Sequence, residues 1–208
     1  MNNGFFYSYH LGWSRPDAES LIGDLDAAGL RLGHPITRKV TLLGPGRDPL
    51  GSSSSVTREQ LVLLAGLQRV DSVDFALWMG SGSAVPARVR RTADGVVALE
   101  FGFGWLTDGE QEVAEWAIRE AIGRPSVLCI GFVVDREGAS AATDWSGVVA
   151  NGTTCFDSWP DTLAVREEIA EVQPQLAGVS FFEESPWMLF GSEVPQPVTQ
   201  DGRLPRSS

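Results

Sequence analysis

The chain has 208 residues, with 16 Lys+Arg against 27 Asp+Glu, a formal charge of −11 and 43% hydrophobic residues. That length suits one large domain, and the apolar content excludes a wholly disordered chain. Two cysteines exclude a disulfide-dense scaffold, the acidic balance argues against nucleic acid, and no run approaches the ~18 apolar residues of a membrane span.

In chain order, Gly4–His10 is rich in aromatics, which favour strands. Ser14 can cap a helix with Pro16 in its first turn. Ala18, Leu21, Ile22, Leu25 and Ala28 then recur at helical spacing up to the stop at Gly29. Ile36–Leu43 reads as a strand, followed by a Gly, Pro and Ser loop from Gly44 to Ser55. Thr57 and Gln60 make a capping box before Leu61, Leu64, Ala65 and Leu67.

From about 72 to 105 the odd positions are apolar: Val73, Phe75, Leu77, Met79; Val85, Ala87, Val89; Val97, Leu99, Phe101, Phe103, Trp105. Alternation with period two means half-buried strands, and the separators Gly80–Ser83 and Ala93-Asp94-Gly95 are hairpin signals. Odd positions must face odd positions if one face is buried. Turns at 81–83 and 93–95 satisfy this and pair Phe75 with Val89 and Val89 with Leu99. On the other face they set Asp74 opposite Arg90 and Arg88 opposite Glu100.

Thr107 and Glu110 form a second capping box. Val113, Trp116, Ala117, Ile118, Ala121 and Ile122 supply that helix's apolar stripe, and Gly123 with Pro125 ends it. Val127–Val134, apolar on both faces, reads as a central covered strand. A weaker strand is expected at 143–150, a helix at 161–172, and short strands at Val179–Glu183 and Trp187–Phe190. Together these give an α+β fold: an antiparallel meander extended by further strands, with helices largely on one face of the sheet. Residues 1–193 are expected to be one domain and the polar 194–208 a disordered tail.

The charge is uneven. Residues 1–70 hold seven basic and six acidic residues, net +1; residues 71–208 hold nine and twenty-one, net −12. The acidic groups gather on two expected helices, at Asp108, Glu110, Glu112, Glu115 and Glu120, and at Asp161, Glu167, Glu168 and Glu171. Solvated faces explain this plainly; a negative surface that steers a basic partner is the sharper reading.

Catalytic signals are incomplete. The glycine spacing of Gly46–Ser53 resembles a phosphate loop, but Ser52 stands where the lysine is needed. Asp135, Glu137 and Asp144 follow the buried strand and make a candidate carboxylate site for acid–base work or ligand binding. His10 and His34 have no marked nucleophile, Cys129 reads as a core thiol, and no metal or cofactor is implied.

Seven tryptophans are many for this length. Trp105 and Trp116 are assigned to the core. Trp78 falls on the polar face of the meander near Arg88 and Arg90, with Gly102 on the same face suggesting close packing there. Trp and Arg are favoured interface anchors. The first functional reading is therefore a non-enzymatic, cytoplasmic, bacterial-type binding protein. It is an immunity-like inhibitor whose acidic surface meets a basic protein, with Trp78, Arg88, Arg90, Glu112, Glu115, Glu167 and Glu168 as contact residues. The alternative is an enzyme or small-ligand binder at Asp135, Glu137 and Asp144.

Overall fold

A computed structural model describes residues 4–44, 53–92, 95–123 and 129–191. The strands are β1 (Phe5–His10), β2 (Val40–Leu43), β3 (Ser53–Val56), β4 (Ser72–Trp78), β5 (Ala84–Arg91), β6 (Val97–Gly102), β7 (Cys129–Asp135), β8 (Thr162–Val165), β9 (Phe182–Glu184) and β10 (Trp187–Phe190). The helices are α1 (Arg15–Ala27), α2 (Arg58–Gly66), α3 (Asp108–Ile122), α4 (Trp145–Asn151) and α5 (Glu167–Val172). Among the described residues the strands form one antiparallel sheet in the order β3-β2-β4-β5-β6-β1-β7-β8-β10-β9. This is the expected α+β class.

The sheet separates two cores. One gathers the odd positions of the meander, such as Phe75, Val89, Leu99 and Phe101, beneath α1, α2 and α3. The other lies under α4 and the C-terminal segment, around Trp145, Val148, Phe156, Leu163 and Phe190. The three longer helices therefore share one face, and the two short ones cover part of the other.

The meander keeps the expected parity. β5 and β6 pair Val89 with Leu99 and Arg88 with Glu100. β4 and β5 are offset by two residues from the expected register: Phe75 faces Ala87, and Asp74 faces Arg88 rather than Arg90. The reason is the turn. The Met79 N–H donates to the Ser83 carbonyl, which makes the loop Gly80-Ser81-Gly82, and Gly82 takes φ 93°. A three-residue hairpin places its left-handed residue last, so the glycine decides the loop's position.

Local signals correct other expectations. The Ser-rich end of the 44–55 loop is a strand, because β3 pairs with β2 along its backbone at the sheet edge. Residues 45–52, with most of the candidate phosphate loop, lie outside the described residues, as does the 194–208 tail. The expected strand at 143–150 is α4, capped by Asp144 accepting from the Gly147 N–H and closed by Gly152 at φ 67°. The expected helix at 161–172 splits: Thr162–Val165 is fully buried as β8, and only Glu167–Val172 is helical. Among the described residues, no helix is long and apolar enough to cross a membrane.

Candidate docking surface

On the meander's polar face, Trp78, Arg88 and Arg90 each contact other residues of the chain. Arg88 Nε donates to Asp74 at 2.7 Å, and Arg90 Nε donates to Glu100 at 2.5 Å. Glu100, only 6% exposed, also lies 3.9 Å from Arg88. Arg90 reaches across to the Ser146 hydroxyl at 3.3 Å. Tyr9, buried beside them, has its phenol pKa pushed well up by burial and then by the Glu100 charge. Trp78 is half-buried, edge-on to His34 at 4.4 Å, and its backbone exchanges hydrogen bonds with Arg31. Arg88 and Arg90 are ion-paired groups of the fold, in keeping with the carboxylates expected opposite them. The expectation of close packing on Gly102 is corrected: an added Cβ there would find only Pro86 at 3.9 Å.

Helix α3 divides sharply between its faces. Its inner side buries Gln111, Ala114, Glu115, Ala117, Ile118, Ala121 and Ile122. Glu115 belongs to this side and is not a free surface charge. It forms an ion pair with Arg119 Nη2 at 2.8 Å and accepts from Arg136 at 3.0 and 3.1 Å, while Arg119 also lies over the Phe132 ring. The outer side carries the exposed Glu112 and Glu120 together with Val113, 54% exposed, and Trp116, 59% exposed. Trp105, in the turn leading into the helix, is 54% exposed. Trp105, Val113 and Trp116 are thus corrected from core to surface.

A signal for this was present in the sequence. At 100° per residue, Ala114, Ala117, Ile118, Ala121 and Ile122 form a complete stripe, and Trp116 stands 200° from Ile118. The stripe needs no tryptophan. A tryptophan left outside it leaves a large apolar side chain in water, which is the informative observation on a surface.

The N-terminus of α3 is held firmly. Glu110 closes the capping box with Thr107 and accepts from the hydroxyls of Ser81 at 2.8 Å and Ser83 at 2.5 Å. These bonds, led by Ser83, pull its pKa to about 2. The β4–β5 turn and the start of α3 are thereby tied, and the outer face of the helix is presented on a fixed base.

Glu167 and Glu168 are exposed in the first turn of α5. That helix packs against α4 and β10, with the second core, whereas α3 covers the first. The exposed glutamates of α3, Glu112 and Glu120, and those of α5, Glu167 and Glu168, therefore belong to helices on opposite sides of the sheet.

Two of the three carboxylates after β7, Asp135 and Asp144, serve the local backbone. Asp135 is 2% exposed; its oxygens accept from the Gly138 N–H at 2.6 Å, the Ser140 N–H at 2.7 Å and the Ser140 hydroxyl at 2.6 Å. Glu137 is exposed, and Asp144 is exposed and caps α4. Among the described residues, no group of three His, Cys, Asp or Glu side chains is placed to hold a metal. Buried His10 accepts or donates at Nε2 to Ser8 Oγ over 2.9 Å, and burial lowers its pKa to about 3. Burial raises the Cys129 thiol to about 12. Both side chains are neutral near pH 7, which is the wrong state for a thiolate–imidazolium pair. Cys155 is exposed.

No protein-family model matches the chain, and no curated protein or solved structure matches it.

Proposed function

We propose that this protein is a binding protein that docks a basic protein partner on the outer face of α3, in the manner of an inhibitor or immunity protein. The single observation that carries the reading is the exposed pair Val113 and Trp116, one helical turn apart, with Trp105 at the helix entry and Glu112 and Glu120 on the same side. Aromatic anchors ringed by charge are the usual make-up of an interface hot spot. The negative rim would speed encounter with a positive partner and set its orientation. Elsewhere Asp135 is committed to its loop, and His10 and Cys129 are buried in neutral form.

The test is site-specific photo-crosslinking from position 116 in native cells, with a probe at exposed Glu19 on α1 as control. Docking on α3 gives one dominant cross-linked protein from position 116 alone, whose purified form binds the wild-type chain more weakly as salt rises. Cross-links of equal yield from both positions, or binding indifferent to Trp116→Ala, would overturn it.

A further inference from the structure

Glu112 and Trp116 are both exposed on the outer side of α3, one helical turn apart. Residues at that i,i+4 spacing are neighbours on a helix surface, with Cβ atoms about 5–6 Å apart. A helical side chain also leans toward the N-terminus of its helix, so the indole at 116 covers the turn that carries Glu112 and Val113. A carboxylate and a large aromatic ring, 59% exposed, therefore meet solvent at one spot.

The local charge favours a cation. Five carboxylates stand on α3 against one base, Arg119. That base is turned to the inner side, where it pairs with Glu115 at 2.8 Å, reaches Thr162 Oγ1 at 3.3 Å and lies over the Phe132 ring, 5.0 Å from its centroid. The inner side thus already joins a guanidinium, an aromatic ring and a glutamate of α3. The outer side presents the same ring-and-carboxylate pair to solvent in Trp116 and Glu112. The two kinds of cation differ in how they suit it. A guanidinium is planar and weakly hydrated, so it can stack on an indole while its N–H fork meets a carboxylate. An ammonium is a compact, strongly hydrated point charge with no plane to stack.

We propose that the basic partner is anchored by an arginine side chain, which stacks on the Trp116 indole and donates through its fork to Glu112. The inference rests on docking at α3 and narrows the partner from a basic surface to one that presents arginine. Hexaarginine and hexalysine peptides, equal in charge, titrated separately into the ¹⁵N-labelled full chain at low salt, test it by chemical-shift mapping. Hexaarginine should bind at least about threefold more tightly, with saturable shifts centred on the Trp116 indole and the Glu112 and Val113 amides. Trp116→Leu should remove that preference while leaving hexalysine affinity within about twofold, and Glu112→Gln should reduce the preference. Equal affinities for the two peptides, shifts centred away from α3, or a preference that survives Trp116→Leu would each overturn the arginine anchor. Should that variant fail to fold, Glu112→Gln and the wild-type mapping decide. Docking on α3 itself stands or falls separately, by the cross-linking from position 116, which requires no arginine preference.

Discussion

Truncating Glu115 to alanine should destabilise the fold, whereas truncating Glu112, one turn earlier on the same helix, should not. Glu115 is 7% exposed on its side chain and carries two arginine partners, Arg119 and Arg136, whose side chains are 30% and 29% exposed. Removing one member of a fully buried ion pair costs about 3–5 kcal/mol, because the remaining charge stays desolvated. Here both guanidiniums keep some contact with water and can rehydrate, and alanine is a good helix former, so the loss should be roughly 2–3 kcal/mol. For a chain of this length that is a fall in Tm of about 5–10 °C. The assay is urea and thermal unfolding followed by circular dichroism for wild type, Glu115→Ala and Glu112→Ala. The exposed Glu112 variant should stay within about 0.5 kcal/mol of wild type. Equal losses for the two variants, or a Glu115→Ala loss under about 0.5 kcal/mol, would refute the division of α3 into an ion-paired inner side and a free outer side.

Three further outcomes follow from the same physics. Because folded His10 has a pKa of about 3 against an ordinary 6.5, the unfolded chain takes up the proton first. Stability should therefore fall as pH drops below about 6.5, and His10→Gln should flatten that slope in urea melts at stepped pH. Glu110 acts in the same direction in a lower window, because the fold favours its charged form: its stabilisation is complete above the ordinary 4.5 and is lost as pH falls towards about 2, so Glu110→Gln should flatten the slope there. In β7, a Cβ added at Gly131 would sit 2.7 Å from Val149 Cγ1 and closer still to the Ala164 carbonyl oxygen, while one at Gly80 would meet nothing within 4 Å. Gly131→Ala should lower stability by about 3 kcal/mol or more and Gly80→Ala by under about 1 kcal/mol in the same unfolding assay.

What was legible in the sequence was whatever a short-range pattern determines. The meander's alternation, the capping boxes of Thr57 and Thr107 and the both-faced burial of β7 all follow from neighbouring residues. What was not legible depends on partners far along the chain. β3 is a strand of serines because β2 lies beside it. β8 is a strand because β7 and β10 flank it, although its flanks, Trp159-Pro160-Asp161 and Glu167-Glu168, carry helix signals. The candidate site followed the same rule. That Trp78, Arg88 and Arg90 share the meander's polar face was readable, but their pairing with His34, Asp74 and Glu100 rests on register and on distant segments. The −12 of residues 71–208 was legible as a sum; its division between α3 and α5 on opposite sides of the sheet was not, because composition holds no topology.

The most direct test of docking on α3 is the affinity of the partner captured from position 116 for the wild-type chain and for Trp116→Ala, with folding of the variant verified by circular dichroism. Trp116 is exposed and makes little contribution to the core, so the variant should fold as wild type does. A hot-spot role predicts a loss of at least about tenfold in affinity, with the wild-type affinity falling as salt rises. An affinity within about twofold of wild type, with the same salt dependence, would contradict docking on this face.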